Sequence, residues 1–298
     1  MKGKKWSALL LLLFLLSLFS EPGDIYGPEK TEGQDYPVSV KKLTTNIYRI
    51  TIEYGLRPNI VALAGLDGVL LIDTGHKQVA DSLLSAVKDL HSGELRFIVN
   101  THLHGDHTGA NLLIRKNAEI LNCKNLEHYV TEGPISRDNE ELKGKSGHSF
   151  KPYYSLLFNR EQIKLIPHPG IHSDADLLVY FSDSGVVHMG DLLLTQSFPA
   201  VGGKIPKYLE FLDKVIDVFP SETKYIAGHG RDYSMNDLKD YRQMLLTTID
   251  IVRKEMEKGK SEEETIQARV LERWESWGEF LEFLNVDYWI KAIYSSYK

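Results

Sequence analysis

The chain has 298 residues, 42% of them hydrophobic, enough to bury a large core in one domain. Its formal net charge of −6 gives no basic footprint for nucleic acid, and its single cysteine, Cys123, rules out an internal disulfide. The sequence carries no internal repeat, which excludes solenoid and propeller arrays.

Residues 1–20 read as an export signal. Lys2, Lys4 and Lys5 form a positive leader, and Ala8 to Phe19 is an almost unbroken apolar run, short for a membrane span. A cut is expected near Ser20-Glu21. Leu18 departs from the small-residue cleavage pattern, which leaves an uncleaved N-terminal anchor as the alternative. The expected location is therefore periplasmic or secreted. Residues 21–37, polar and rich in Gly, Pro and Glu, are expected to form a flexible leader, with the folded domain over 38–298.

Val38 to Leu43, Ile47 to Ile52 and Asn59 to Ala64 alternate or run apolar between turn residues and predict an antiparallel meander. Leu66-Asp67-Gly68 is a hairpin signal leading into Val69 to Asp73. Val79, Leu83, Ala86, Val87 and Leu90 form a helical stripe within Lys77 to Leu90. Leu95 to Val99 then reads as a buried strand running into Asn100-Thr101-His102-Leu103-His104-Gly105-Asp106-His107.

Three histidines and an aspartate within six residues are poor core material, whereas neutral imidazole and carboxylate are the usual ligands of divalent metals. His102 and His104, two apart, point to one side of an extended segment, and Gly105 lets the chain turn and carry Asp106 and His107 to a second position. A helix is expected over Thr108 to Lys116. Residues 122–160 show no clear pattern, and their aromatics Tyr129, Phe150, Tyr153, Tyr154 and Phe158 are weighed as a substrate-covering lid against ordinary packing, with packing the default.

Further strands are expected at Gln162 to Ile166, Leu177 to Phe181, Gly185 to Met189 and Lys224 to Ala227, with a helix over Lys207 to Phe219. Short motifs punctuate them: Pro169-Gly170-Ile171-His172-Ser173, His188-Met189-Gly190-Asp191 and Ala227-Gly228-His229-Gly230. From Met235 the pattern is helical to Lys258, and Ser261 with Glu264 forms a capping box for another helix. Trp274, Trp277, Trp289 and Tyr294 are expected to pack this tail on the core. His91, His128, His148 and His168 read as surface or structural and His188 as pointing away within a strand, while His76, following the Asp73 turn, is weighed as an approach to the metals against a structural role, with the structural role the default.

Taken with Leu70-Leu71-Ile72-Asp73-Thr74-Gly75, these motifs resemble in order the five motifs of the metallo-β-lactamase superfamily, over about Val38 to His229. The resemblance implies an α/β four-layer αββα sandwich, here with a C-terminal helical extension from about residue 235. It implies one metal held by His102, His104 and His172, a second by Asp106, His107 and His229, and Asp191 bridging the two. Asp73 is implied to support ligands from behind rather than to bind. Two divalent ions, zinc by expectation with manganese or iron(II) as alternatives, would share a water that ionises near neutral pH. That hydroxide would attack an ester, thioester, lactone or amide of a small-molecule substrate, with Asp106 and Asp191 as the catalytic carboxylates and no organic cofactor.

The bridging aspartate is similar to that of glyoxalase II-like members, although their basic glutathione-binding cluster is missing. β-Lactamases of the family often carry a cysteine at that ligand and a lysine three residues on. Here those positions are Asp191 and Leu194, so β-lactam cleavage is retained but not favoured. The tyrosine that acyl-homoserine lactonases tend to have there is missing too. Two further readings stand beside the hydrolase. One is a mononuclear iron persulfide dioxygenase using His102, His172 and Asp191. The other is a non-catalytic metal-binding protein, which would be expected to have lost ligands.

Overall fold

The computed structural model describes residues 35–298 apart from Ser92, Asn139 and Phe280. The expected signal over 1–20, and the leader up to residue 34, lie outside the described residues. At the first described positions the Tyr36 backbone N–H donates to Ser82 Oγ at 3.0 Å, and its ring lies 4.7 Å from that of Tyr54.

The first sheet begins as the expected meander: β1 (Val38–Lys42), β2 (Ile47–Ile52), β3 (Ile60–Gly65) and β4 (Gly68–Ile72) pair antiparallel in turn. A 3-10 turn and helix α1 (Ala80–Leu90) lead to β5 (Leu95–Val99), which joins β4 in parallel, and β6 (Glu119–Leu121) joins β5 in parallel. β4 is buried along its whole length because it is covered on both faces. Leu70 and Ile72 enter the space between the sheets, while Val69 and Leu71 pack with Leu83, Ala86 and Val87 of α1.

The helix expected over Thr108 to Lys116 starts earlier and is two short pieces, α2 (Gly105–Thr108) and α3 (Asn111–Ile114). The reason lies between them: the Ala110 N–H donates to Gly75 O at 3.2 Å instead of continuing the helical ladder. Gly109 permits the approach, since a side-chain carbon there would meet Lys77 N at 2.5 Å.

After α4 (Leu126–Glu132) come β7 (Ser136–Asp138), a small hairpin of β8 (Leu142–Lys143) and β9 (Ser149–Phe150), and β10 (Tyr153–Phe158). β11 (Glu161–Pro167), β12 (Leu177–Phe181), β13 (Val186–His188), helix α5 (Ile205–Val218) and β14 (Lys224–Ile226) follow. The second sheet has the order β14-β13-β12-β11-β10-β7, with only β13 and β14 parallel. Most of the aromatic segment is therefore wall, not lid. Tyr154 and Phe158 are buried between the sheets, Phe150 and Tyr153 are buried on the second sheet's outer side, and half-buried Tyr129 packs on the inter-sheet core.

Helices α6 (Met235–Glu257), α7 (Glu262–Gln267) and α8 (Val286–Tyr297) form the C-terminal tail, and α6 and α7 each open with a capping box, Ser234 with Asp237 and Ser261 with Glu264. One apolar cluster joins the second sheet's outer face to α5, α6 and α8, a second fills the space between the sheets, and a third lies under α1. The layers thus run helix, sheet, sheet, helix. Trp289 is fully buried, stacks on Phe198 at 5.3 Å and donates from Nε1 to Thr248 Oγ1 at 2.8 Å. Trp274 and Trp277 are half-buried against the same cluster. Among the described residues no helix is long and apolar enough to cross a membrane.

Candidate metal centre

Pairing of β5 with β6 continues one residue past the strand, because the Asn100 N–H donates to Leu121 O at 2.8 Å. The chain is thereby delivered into Thr101 and His102 along a fixed line. Beneath it, the Asn100 and Asn111 side chains bond each other, with Asn111 Nδ2 2.8 Å from Asn100 Oδ1, and Thr74 Oγ1 donates to Asn111 Oδ1 at 2.8 Å. These buried polar groups satisfy one another and hold the loop and the Asp73 turn as one piece.

Asp73 itself sits at φ +61, a left-handed conformation uncommon outside glycine and often found at functional sites. Its carboxylate accepts from Thr101 N at 2.8 Å, Thr101 Oγ1 at 2.7 Å and His107 Nδ1 at 2.7 Å. It lies behind the ligand loop and belongs to neither group of converging donor atoms.

The structure brings all seven expected ligand residues together in two groups. Donor atoms of His102, His104, His172 and Asp191 lie within 4.8 Å of one another, as do those of Asp106, His107 and His229. Asp191 faces both. Its Oδ2 is 3.8 Å from His102 Nε2 and 3.5 Å from His172 Nε2, while its Oδ1 is 3.3 Å from His107 Nε2 and 3.6 Å from His229 Nε2. The backbone behind it leaves no room for a side chain: a carbon on Gly228 would sit 1.9 Å from Asp191 Oδ1.

Four histidines have their far nitrogen engaged. His107 Nδ1 donates to Asp73, His172 Nδ1 to Ala200 O at 3.1 Å and His229 Nδ1 to Leu56 O at 2.6 Å. Thr101 Oγ1 gives its proton to Asp73, so it accepts from His102 Nδ1 at 3.1 Å. Each of these rings then presents a bare Nε2 to the centre, and His104 presents Nδ1. The result is ring nitrogens facing one another at close quarters. His172 Nε2 lies 3.1 Å from His104 Nδ1, His107 Nε2 lies 3.2 Å from His229 Nε2, and buried His102 Nε2 and Asp191 Oδ1 have no hydrogen-bond partner among the described residues. Such an arrangement is costly by itself and suits cations placed among the donors.

The electrostatics agree. Burial works against charge on His107 and His229, yet neighbouring carboxylates, Asp106 and Asp191 foremost for His107 and Asp191 for His229, push both above the ordinary histidine value. Burial also opposes charge on Asp191 and Asp106, and it is outweighed by His229, His107 and His102 around Asp191 and by His107 and His229 around Asp106, so both fall below the carboxylate range. His102 and His104 are held low by burial first and then by His107 and His172 respectively. The carboxylates thus favour positive charge at His107 and His229, while burial disfavours it on His102 and His104.

The remaining histidines stay out of both groups. His76 Nε2 accepts from the Leu56 N–H at 3.4 Å, and burial lowers the ring to about 4. It therefore props the loop that orients His229. His188 bonds Asn59 O at 2.9 Å and accepts from Gly190 N at 3.1 Å, so both its ring nitrogens are engaged outside the two groups. His148 pairs with Asp217, His91 accepts from Gly93 N, His168 packs on Phe211, and exposed His128 lies edge-on to Tyr129. Four supports escaped the sequence reading. Thr101, Ala200 O and Leu56 O are named above, and buried Asp176 accepts from His172 N at 3.0 Å and Ser173 N at 2.9 Å, locking the His172 loop. The Ser173-x-x-Asp176 spacing was a readable turn signal for the last of these.

The sequence profile of the family described as "Metallo-beta-lactamase superfamily" matches residues 54–249, about two thirds of the chain. The chain belongs to the metallo-β-lactamase superfamily. Within it, the chain is 26% identical over 201 residues to the "Beta-lactamase-like protein 2 homolog" of Caenorhabditis elegans, a match covering 64% of this chain and 63% of that protein. Among solved structures it resembles the stereoselective inverting sec-alkylsulfatase Pisa1 from Pseudomonas sp. with a TM-score of 0.61 at 16% identity, covering 87% of this chain and 50% of that one. A metallo-β-lactamase from Pontibacter korlensis superposes with a TM-score of 0.53 at 17% identity, covering 70% of this chain and 98% of that one. The chain thus spans less than two thirds of the worm protein and half of the alkylsulfatase, and at these identities the structural likeness is one of fold.

Proposed function

We propose that this protein is a metal-dependent hydrolase of a small-molecule substrate. His102, His104, His172 and Asp191 would hold one divalent cation and Asp106, His107 and His229 a second, with Asp191 facing both. The observation that carries this reading is Asp191, whose two oxygens face different histidine groups. Bound there, zinc or a similar ion supplies Lewis acidity and a water acidic enough to ionise near neutral pH. The chain supplies the rest. Asp73, Ala200 O and Leu56 O hold proton-bearing Nδ1 atoms and so aim Nε2 atoms inward. Asp106 Oδ2, 3.2 Å from His229 Nε2, is held against burial below the carboxylate range by His107 and His229, and so stays in the charged form that would bind a cation and orient a water beside it.

The bond classes to assay are esters, thioesters, lactones and amides, and the alkylsulfatase and β-lactamase neighbours add sulfate esters and β-lactams. β-Lactams rank low because Leu194, where a carboxylate-binding lysine would be expected, is buried beside Leu281 and Leu284. The proposed place of action, outside the cytoplasm, rests on residues 1–20. The test is turnover across that panel by metal-loaded protein and by Asp106→Ala. Hydrolysis of at least one class, lost in the variant, supports the reading. Full turnover in the variant, or oxygen uptake with a persulfide in place of any hydrolysis, contradicts it.

A further inference from the structure

The last residues of the chain lie beyond the stretch that matches the family profile, which ends at residue 249. They nevertheless reach the metal centre through one loop, residues 194–202. That loop follows Asp191 closely, and Thr195 N donates to His229 O at 3.2 Å. Its Ala200 O accepts from His172 Nδ1. All three ligands of the second half of the chain are thus tied to one irregular segment.

The tail grips this segment at three levels. Gly278 N donates to Gln196 O at 3.0 Å, and Phe198 N donates to Leu284 O at 3.2 Å. Tyr288 Oη accepts from Gly202 N at 3.2 Å and donates to Pro199 O at 3.3 Å. The two Tyr288 bonds bracket Ala200, one residue before it and two after. They restrain the bend from which Ala200 O meets the His172 ring, and that ring presents Nε2 3.1 Å from His104 Nδ1.

We propose that Tyr288 is a positioning residue of the metal centre: its hydroxyl fixes the Pro199–Gly202 bend, and the bend aims His172 at the cation held with His102, His104 and Asp191. The C-terminal extension is then a working part of the centre as well as a cover for the second sheet. The proposal rests on the two-cation reading above and is independent of which bond the enzyme cleaves. It also separates from packing, because a phenylalanine at position 288 keeps the ring and loses only the hydroxyl.

The experiment is cobalt(II) titration of the full metal-free chain, followed by visible absorbance, beside thermal unfolding of the same samples. His172→Ala identifies which binding step belongs to its group. Tyr288→Phe is expected to weaken that step about tenfold, the low end for partners behind a metal ligand, while the other step stays near wild type and the metal-free melting midpoint falls no further than in the control below. Thr265→Val is the control. It removes a buried bond to Tyr294 elsewhere in the tail (2.7 Å) and is expected to lower the midpoint without changing either step. Unchanged steps in Tyr288→Phe overturn the proposal, as does equal weakening of that step by Thr265→Val. A wild-type chain with no saturable step overturns the two-cation reading and this proposal with it, an outcome visible before any variant is compared.

Discussion

The two halves of the chain contribute to one centre in different ways. The first half places His102, His104, Asp106 and His107 in a single loop of six residues, pinned from behind by Asp73 and Thr101. The second half places His172, Asp191 and His229 on three separate loops; Asp191 and His229 are joined by Gly228 N donating to Gly190 O, and His172 is tied in through residues 194–202, which the C-terminal tail holds in turn. Local geometry secures one set and long-range packing secures the other. The centre therefore depends on tail stability from one side only.

The most damaging way to break this comparison is to remove the residue that belongs to both sets. Asp191→Ala is expected to leave a folded chain and to lower affinity for both cations more than a hundredfold, beyond the 10–100-fold typical of residues behind the ligands. Isothermal titration with zinc checks this, and loss at one site alone would mean Asp191 is not shared. Next comes the tail: Trp289→Ala empties a fully buried site and should cost about 3–5 kcal/mol in denaturant unfolding. The folded fraction is expected to keep the His107 group's cation better than the His172 group's, and equal loss from both would erase the distinction between the halves. Asp73→Asn attacks the first half, with an expected loss of about 10–100-fold in affinity at the His107 group and no change in the Trp289 environment by fluorescence.

The smallest effect is a pH slope. His168, packed at a tilt on Phe211 at the foot of the His172 loop, is lowered to about 4, by burial first and then by Lys214 and Lys207, with Glu210 opposing. Its folded pKa lies below the ordinary histidine value of about 6.5, so the unfolded chain takes the proton first. Stability of the metal-free protein should therefore fall as pH drops from about 6.5 towards 4, and His168→Phe should reduce that slope in unfolding titrations. An identical slope in the variant would place the titration elsewhere, His76 being the other buried histidine held near 4.

Legibility in the sequence follows the same division. The candidate ligand loop was readable because its donors are contiguous and follow a strand, whereas His172, Asp191 and His229 were reached through the resemblance of three short glycine motifs to those of the family. Strand and helix positions were readable from period, down to the Ser261–Glu264 capping box. The broken helix at Gly109 was not, because its cause is a backbone contact to Gly75 O, a residue far away in sequence. Residues 136–158 were opaque for a similar reason: β7 is three residues long and takes its place in the sheet from β10 rather than from any pattern of its own. Ala200 and Leu56 act through carbonyl oxygens, which every residue has, so no side-chain motif could mark them.

The measurement that bears most directly on the shared centre is metal content per chain, by elemental analysis of protein purified without added metal, for wild type and Asp191→Ala. Close to two divalent ions in the wild type and fewer than one in the variant is the predicted result. One iron per chain in the wild type, or two ions retained without Asp191, would contradict it.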